Sequence, residues 1–430
     1  MLVIHEPELA GGGTEISVSC RVELDRPGAE YPPTLSFTFP KRYERAITRR
    51  ADGFAASLLP LAMRLGEDLR VHGGLSTRLA RGLLEYQRIQ CSWKPDFFKE
   101  VRIEYDGVIV PPEREGGGAV GSAFSGGVDS FHTLWAHLPE NEADEPYRIS
   151  HCVMISGFDP DLDVRSGDAF ARKRRMYELI LQKYGLELIV THTNLLEFLG
   201  NEIQKQAFAA FVTAPALILA GLFSRYYVPS SYQFMRLKLF PDGSHPMMDY
   251  LLATESLETI HDGGTFTRVE KTERLMEWSD TYHSLRPCSQ TTTVKGEAGV
   301  LENCCRCEKC RRTMTTLEMF GALERFVCFP RGLTRRDVRN AKYYHTGTRI
   351  FAREIIDRAG ELGRRDIAFD LRCAIWKSLL LWKPLRLAAD LNYKLEQRNR
   401  SYERLTVPLK RWLKKRGWGW GWLYPWWMAS

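Results

Sequence analysis

Residues 125–130 constrain the fold more than any other part of this 430-residue chain. They read Ser-Gly-Gly-Val-Asp-Ser and stand between an apolar run at residues 119–124 and a helix-like pattern in which Phe131, Leu134 and Leu138 are apolar. This order predicts a strand, a glycine turn and a helix. Such a turn presents backbone N–H groups and a helix N-terminus, which attract phosphate, and its glycines let the backbone approach an anion closely. We therefore predict a phosphate-binding turn.

The alternation of strands and helices continues to about residue 285. Apolar runs predict further strands at 152–155, 186–190 and 226–228, and helical patterns lie at 167–184 and 207–223. This order predicts an α/β fold, a doubly wound parallel sheet with helices on both faces. Ligands of such sheets bind beyond the carboxyl ends of the strands, and the turn at 125–130 follows the first strand directly.

The length of the chain favours two or three domains. Alternating Ile16, Val18 and Cys20, a possible cap at Ser76, and apolar helical segments indicate an N-terminal α+β domain. We predict an accessory domain at 1–112, a domain at 119–285 that carries the phosphate-binding turn, a cysteine-cluster segment at 286–328, and a basic helical region at 331–430.

The composition argues against secreted and membrane-spanning proteins. The first residues lack the basic and apolar segments of a secretory signal, and no run of about 18 apolar residues predicts a spanning helix. We therefore expect a cytoplasmic protein. Ten cysteines in such a chain favour metal ligands or free thiols over a disulfide framework.

Charge is distributed unevenly along the chain. Residues 331–430 contain 23 lysines and arginines against 9 acidic residues, a net charge of +14, whereas the rest has a net charge of −7. Six of the eleven tryptophans lie in the last nineteen residues. This end of the chain indicates a macromolecular or otherwise anionic partner, a membrane interface, or a docked helical domain with a solvated basic face.

A second informative motif is C-x-x-C-x-x-C, formed by Cys304, Cys307 and Cys310, with Cys288 sixteen positions upstream. Four thiolates at such spacing can hold a structural zinc ion in tetrahedral geometry. An iron–sulfur cluster, redox thiols and coincidence are the alternatives. Cys305 could replace Cys288 only as a strained adjacent pair. The remaining cysteines are expected to be small buried hydrophobic residues, namely Cys20, Cys91, Cys152, Cys328 and Cys373.

The turn resembles the pyrophosphate-binding loop of the N-type ATP pyrophosphatases, the PP-loop superfamily. The resemblance implies that ATP is cleaved between its α- and β-phosphates and that a substrate oxygen is adenylated. The implied nucleotide-binding residues are Ser125, Gly126, Gly127, Val128, Asp129 and Ser130.

The loop and the cysteines together resemble the 7-cyano-7-deazaguanine synthase family, over about residues 119–320. This resemblance implies an ATP-dependent ligase that uses Mg²⁺ and structural zinc, activates 7-carboxy-7-deazaguanine, and transfers it to ammonia. The implied zinc ligands are Cys288, Cys304, Cys307 and Cys310. Wider cysteine spacing, the flanking regions and a loose substrate segment at 244–249 indicate a divergent member, whose acid and amine substrates can differ.

In this mechanism Asp129 and Ser130 are the expected catalytic residues, with Asp129 the carboxylate nearest to Mg²⁺ or its waters. His192 is a weaker acid–base candidate at a strand end. The other polar candidates for ribose, metal or substrate are Asp159, Lys205, Arg236, Lys238 and Asp249.

Two other functions remain open from the sequence. A tRNA-thiolating or amidotransferase-like enzyme could use the same loop, and thiolation would need a reactive cysteine, for which Cys152 is the nearest candidate. Alternatively, the chain is an ATP-binding module with a nucleic-acid or protein partner, as the basic C-terminal region allows.

Overall fold

The computed structural model describes residues 1–24, 31–110, 118–157, 167–237, 242–288, 290, 293–295 and 299–382. Asp159, Lys238 and the tryptophan-rich end lie outside the described residues. The chain divides into two compact units, one of residues 1–304 with 325–330, the other of 305–324 with the described part of 331–430.

The strands of the described residues fall into one large sheet and one small hairpin. They are β1 Leu2–Ile4, β2 Glu8–Gly12, β3 Glu15–Leu24, β4 Thr34–Pro40, β5 Leu69–Ser76, β6 Ile103–Ile109, β7 Ala119–Ala123, β8 His151–Ser156, β9 Glu187–Thr193, β10 Phe223–Pro229, β11 Glu258–Asp262, β12 Thr293–Lys295 and β13 Val300–Glu302.

Helices separate the strands from β7 to β11, and helices dominate the second unit. They are α1 Asp52–Leu65, α2 Thr77–Trp93, α3 Val128–Ala136, α4 Gly167–Lys183, α5 Leu195–Gln206, α6 Phe208–Ile218, α7 Phe234–Leu237, α8 Arg268–Leu275, α9 Thr281–Ser284, α10 Glu308–Met319, α11 Arg335–Arg339, α12 Thr346–Glu361 and α13 Arg365–Lys377.

One half of the large sheet is parallel. Its strands lie in the order β11-β10-β7-β8-β9, which is the order 3-2-1-4-5 of doubly wound sheets when β7 is counted as the first strand. The strand order reverses between β7 and β10, and ligands of doubly wound sheets bind at this switch point. The large, mostly parallel sheet with flanking helices confirms the predicted α/β fold.

The N-terminal residues extend the same sheet instead of forming a separate one. β4 pairs antiparallel with β9, so that Phe37 lies opposite Thr193 and Thr38 opposite His192. The Asn194 side chain strengthens this junction, because its Oδ1 accepts from the Ser36 N–H at 3.0 Å and its Nδ2 donates to the Thr34 carbonyl at 2.9 Å. The sequence predicted an accessory domain at 1–112, yet this pairing places its strands in a sheet shared with residues 119–285.

The core below the sheet is built from two helices that are apolar on nearly every side. α1 is buried from Asp52 to Met63 and packs against α6, whose residues from Ala209 onward are also buried. The helix predicted at 207–223 ends earlier, at Ile218, and β10 begins at Phe223. Between them Gly221 packs closely against Ala46, and a Cβ there would lie 2.6 Å from the Ala46 carbonyl oxygen.

The second unit is a helical assembly. Asp370 of α13 is buried and accepts hydrogen bonds from Arg335 at 2.8 Å and from Arg339 at 2.5 Å, which fixes α11 against α13. The Thr334 side chain caps α11 through a reciprocal capping box with Asp337. No helix in the described part of the chain is both long enough and apolar enough to cross a membrane.

Candidate functional site

The glycine turn lies where the sequence places it, at the carboxyl end of β7 and the start of α3. Gly126 has a φ of +74°, which disfavours any residue with a Cβ, and a Cβ there would lie 1.8 Å from the Tyr177 hydroxyl oxygen. Gly127 has an ordinary φ of −80°, and a Cβ there would lie 3.2 Å from the Ser125 hydroxyl oxygen and 3.7 Å from the Arg286 carbonyl oxygen. The backbone conformation therefore requires glycine at position 126. At position 127 only the close approach of a ligand would require glycine.

The two serines close the turn on itself. The Ser130 hydroxyl accepts from the Ser125 N–H at 3.3 Å and donates to the Gly127 carbonyl at 3.1 Å, while the Ser125 hydroxyl accepts from the Gly127 N–H at 3.3 Å. Ser125 is exposed and Ser130 is buried. The turn is thus held in shape by its own side chains, and the exposed hydroxyl of Ser125 is the one that a ligand can reach.

The chain that leads to the first cysteine packs on this turn. The Arg286 N–H donates to the Gly126 carbonyl at 2.6 Å, and the Tyr177 hydroxyl that lies over Gly126 donates to the Ser284 carbonyl at 3.1 Å. Cys288 follows Arg286 by two positions. A bound metal ion at Cys288 would therefore restrain the backbone that supports the turn.

Asp129 is engaged by two cations of α8. Its carboxylate pairs with the Arg268 guanidinium, and the Lys271 Nζ lies 3.8 Å from its Oδ1. Lys271 is only 1% exposed and donates to the Ser230 carbonyl at 2.5 Å, at the end of β10. The sequence predicts Asp129 as the carboxylate nearest to Mg²⁺ or its waters, and in the structure this carboxylate lies against two cations beside the turn. Local patterns could not identify Arg268 and Lys271, because about 140 residues separate them from Asp129.

His132 is buried behind the turn on α3. Burial, with Lys271 as the next cause, lowers the pKa of its imidazole to about 3, so the ring is neutral at physiological pH. Its ring packs 5.1 Å from that of Phe266. Neither ring nitrogen has a hydrogen-bond partner among the described residues. The first turns of α3 therefore bury a neutral imidazole.

The four predicted metal ligands come together. The sulfur atoms of Cys288, Cys304, Cys307 and Cys310 all lie within 4.8 Å of one another. Cys305 is not a member of this group, and it has a φ of +55°, which turns the chain between the first two ligands of the triplet. This cluster could bind a metal ion such as zinc.

The donor set suits a single ion. Zinc–sulfur bonds of about 2.3 Å in a tetrahedron place the sulfurs about 3.8 Å apart, which is compatible with four sulfurs that all lie within 4.8 Å of one another, whereas an iron–sulfur cluster distributes its ligands over several irons. Cys307 caps α10, and its sulfur accepts from the Cys310 N–H at 3.4 Å. The Cys288 sulfur accepts from the Gln290 N–H at 3.3 Å. These N–H groups and the helix N-terminus stabilise thiolates.

A third cluster lies at the carboxyl end of β11 and joins His261 to three residues of the segment 244–249, which the sequence named as a loose substrate segment. The buried Asp249 carboxylate accepts from the Ser244 hydroxyl at 2.7 Å, from the His245 N–H at 2.9 Å, and from His261 Nδ1 at 2.7 Å. His261 Nε2 is buried without a hydrogen-bond partner among the described residues. Nearby, burial raises the pKa of Asp242 to about 6.

The geometry of this cluster resembles an Asp–His pair without a nucleophile. Since Ser244 bonds to Asp249 and lies beside His261 Nδ1, it is on the wrong side of the ring to be activated by Nε2. His261 pairs with Val228 on β10 in the same sheet that carries the glycine turn. His261 therefore lies near the carboxyl ends of the parallel strands, the end of the sheet at which the glycine turn also follows β7.

The remaining candidates are scattered. His192 is exposed at the end of β9, where its backbone pairs with β4, and Lys205 and Arg236 belong to α5 and α7. Cys152 is fully buried in β8, and burial raises the pKa of its thiol strongly. Such a thiol is unreactive at neutral pH.

Comparison with protein-family models, with curated proteins and with solved structures finds no match.

Proposed function

We propose that this protein is an ATP-dependent ligase of the PP-loop type, which adenylates a carboxylate with release of pyrophosphate and transfers the acyl group to ammonia or an amine. The observation that carries the proposal is the Ser-Gly-Gly-Val-Asp-Ser turn at the order reversal of a parallel sheet. Both the motif and its position support phosphate binding at this turn.

The residues around the turn suit a polyanion. The N-terminus of α3 carries N–H groups that no intrahelical carbonyl accepts, and its dipole favours negative charge. Arg268 and Lys271 stand beside Asp129 and can shift part of their attraction to a bound phosphate. Asp129 is the side chain that would hold Mg²⁺ or its waters, and the ion would supply positive charge that stabilises the leaving pyrophosphate.

The proposed chemistry has two steps. In the first, a substrate carboxylate oxygen attacks the α-phosphorus, the bond to the bridging oxygen of the β-phosphate breaks, and pyrophosphate leaves. In the second, an amine attacks the acyl carbon, AMP leaves, and the amine loses a proton. Our candidate acceptor for that proton is His261 Nε2, because Asp249 holds the ring through Nδ1 and leaves Nε2 without a hydrogen-bond partner among the described residues.

Zinc at the four cysteines would have a structural part in this proposal. It would anchor Cys288 and with it the Ser284 and Arg286 backbone groups that pack on the turn. No step passes through the metal.

The test is incubation of the protein with ATP, Mg²⁺ and 7-carboxy-7-deazaguanine, with and without ammonia, read by mass spectrometry and by exchange of labelled pyrophosphate into ATP. The resemblance to the 7-cyano-7-deazaguanine synthase family makes this acid the first candidate. Exchange together with amide or nitrile products supports the proposal. If pyrophosphate exchange requires a different carboxylic acid, the protein is still a ligase but its substrate is not 7-carboxy-7-deazaguanine. If no carboxylic acid supports exchange, the proposal is refuted.

A matched pair of variants connects the activity to the turn. Gly127→Ala should keep the fold, because its backbone conformation suits alanine, yet its Cβ would stand where phosphate must approach. Alanine at the solvent-open Gly12, which has no atom near the position of a Cβ, is the control. Loss of ATP binding in the first variant alone is the expected result.

Thiolation is disfavoured by the burial of Cys152. A Cys152→Ser variant that keeps full activity would exclude that thiol as the sulfur carrier. A nucleic-acid-binding module without catalysis would show strongly salt-dependent RNA binding and no pyrophosphate release.

A further inference from the structure

One edge of the large sheet lies open. The strand order ends at β6, which pairs in parallel with β5 on one side, and no other strand of the described residues pairs with it. Residues 104–110, which form this strand and its end, are all exposed. At the opposite edge of the sheet, Glu258 alone is exposed in β11. The fold therefore largely covers the β11 edge and leaves the β6 edge to solvent.

The open strand lacks the features by which edge strands usually avoid pairing with another chain. Such strands tend to be short, to bulge, or to contain lysine or proline. β6 has seven residues without lysine, arginine or proline. The bulge of the β5–β6 pair lies on β5, where two residues stand opposite Asp106. Four of the exposed side chains are large and apolar, with exposed fractions between 36% and 69%, namely Tyr105, Val108, Ile109 and Val110. The β6 edge is therefore suited to pair with a further strand.

The acidic side chains of β6 are compensated within the chain. The Asp106 carboxylate pairs with the Arg70 guanidinium of β5. Asp68 and, after it, Glu104 raise the pKa of the Arg102 guanidinium, which places a cation near Glu104. The two carboxylates therefore oppose the approach of another acidic strand less than their formal charge indicates.

The backbone of β6 offers its outer hydrogen-bonding groups at alternate residues. The Leu69 N–H donates to the Arg102 carbonyl at 2.8 Å, so the carbonyl of Arg102 faces β5. The N–H and C=O of one residue point to the same side of a strand, and those of the next residue point to the other side. The odd-numbered residues from Ile103 to Ile109 therefore direct their N–H and C=O groups to the open side.

A second copy of the same strand fits this edge in antiparallel orientation. A two-fold axis at Gly107 brings each odd-numbered residue opposite another odd-numbered residue, and the three pairs from Tyr105 to Ile109 would form about six hydrogen bonds. Tyr105 of one copy then lies opposite Ile109 of the other, an aromatic–β-branched pair of the kind that stabilises sheets. We propose that two copies of this chain form a dimer through β6, with Gly107 on the axis.

The positions of the charges select this register. With Gly107 on the axis, Asp106 lies opposite Val108 and Glu104 lies opposite Val110, so that no two carboxylates face each other. An axis at Asp106 would place two carboxylates directly opposite, which destabilises a sheet. An axis at Val108 would shorten the pairing to residues 106–110. The axis at Gly107 therefore gives the longest pairing without repulsion.

The pairing closes on itself. A two-fold pair uses the same edge on both chains, so no β6 edge stays open and the assembly stops at the dimer. Only one strand of each chain is buried, which makes a small interface. We therefore expect a dissociation constant of about 1–100 µM.

The first experiment is sedimentation velocity of the full chain between about 1 µM and about 200 µM. Gly107→Pro removes an N–H that faces the open side, at an edge position of the kind that tolerates proline. Gly107→Ala is the matched control, because it keeps the N–H and its Cβ would meet no atom within 4 Å. A thermal melt of each variant reports its fold.

A second pair of variants tests the register through charge. Val108→Asp would place two carboxylates opposite each other in the proposed dimer, because Val108 faces Asp106 of the other copy. Val108→Lys would place a cation there instead. Val108 is 50% exposed, so both variants leave the core untouched.

A third pair tests the axis by crosslinking. Residues that exchange two hydrogen bonds have Cα atoms about 5.5 Å apart, which a disulfide can span. Gly107→Cys should therefore form a covalent dimer on mild oxidation, visible on a non-reducing gel. Gly332→Cys, at an exposed glycine with no atom within 4 Å of the position of a Cβ, is the control.

We expect a wild-type dimer whose dissociation constant rises about tenfold or more in Gly107→Pro and about fivefold or more in Val108→Asp. Gly107→Ala and Val108→Lys should weaken the dimer by no more than about twofold. The proposal is overturned if the wild-type chain is monomeric throughout the concentration range, if Gly107→Pro folds and dimerises like the wild type, if the two Val108 variants behave alike, or if the two cysteine variants crosslink alike.

Discussion

The glycine turn and the cysteine cluster were both predicted from short motifs, but the tertiary structure supports the metal site more directly than the phosphate site. For the cysteines, proximity is itself the chemistry, because four sulfurs within 4.8 Å form a ligand set for one ion. For the turn, the shape is satisfied internally by Ser125 and Ser130. A turn that its own hydrogen bonds hold in shape can bind phosphate but does not need a ligand in order to form. A set of metal ligands is therefore easier to recognise in a structure than a phosphate-binding loop.

The largest effect that would sharpen this contrast is loss of the metal. Cys310→Ser removes a buried ligand, and we expect metal content to fall from about one ion per chain to near zero, with a loss of about 4 kcal/mol of stability if the ion is present at about a thousand times its Kd. Elemental analysis and urea unfolding measure these quantities. Cys305→Ser is the control, and a matching loss of metal in that variant would contradict the ligand set.

The next largest effect distinguishes Gly126, which the backbone conformation requires, from Gly127, which we propose serves phosphate binding. Gly126→Ala must adopt a left-handed backbone conformation and displace the Tyr177 hydroxyl, so the free energy of unfolding should fall by about 2–4 kcal/mol. Gly127→Ala should cost less than about 1 kcal/mol, since its φ suits alanine. Urea unfolding of both variants checks the pair, and equal losses would mean that conformation alone explains both glycines.

An intermediate effect concerns the support of the turn. Because the pKa of His132 is lowered to about 3 in the folded chain, the native state binds fewer protons than the unfolded state between about pH 3 and 6.5. The contribution of His132 is therefore present above about pH 6.5 and is lost as pH falls, by up to about 1.4 kcal/mol per pH unit. His132→Leu should flatten this dependence in unfolding measurements at pH 7 and pH 5.

The same substitution at the exposed His192 controls for removal of an imidazole as such. A pH dependence that is equally steep in wild type and His132→Leu would show that other groups govern acid destabilisation.

The smallest effect tests how far the turn depends on its own hydroxyls. Ser130→Ala removes the acceptor of the Ser125 N–H and the donor to the Gly127 carbonyl, which should cost about 1 kcal/mol. Ser125→Ala, at an exposed position, should cost less than about 0.5 kcal/mol. If instead Ser125→Ala is the more destabilising change, the exposed hydroxyl is structural and is not reserved for a ligand.

The sequence predicted local features better than distant ones. The helix cap at Ser76, which accepts from the Leu79 N–H at 3.1 Å, and the strand around 152–155 depend on neighbouring residues and are confirmed. The pairing of β4 with β9 was not foreseen, because it joins residues about 155 apart. The same distance in sequence explains why Lys271 and Arg268 were not connected with Asp129 beforehand.

The amino-acid sequence on its own determined the alternating strands and helices, the glycine turn after β7, and the four cysteines that gather into one cluster. These depend on residue periodicity, on backbone freedom at glycine and on the chemistry of thiols, all of which are written in short segments. Only the tertiary structure decided that Asp129 is neutralised by α8, that Tyr177 closes over Gly126, and that His261 leaves one nitrogen free. Those facts arise where elements distant along the chain meet, since hydrogen bonding and burial are properties of the packed neighbours and not of the residue alone.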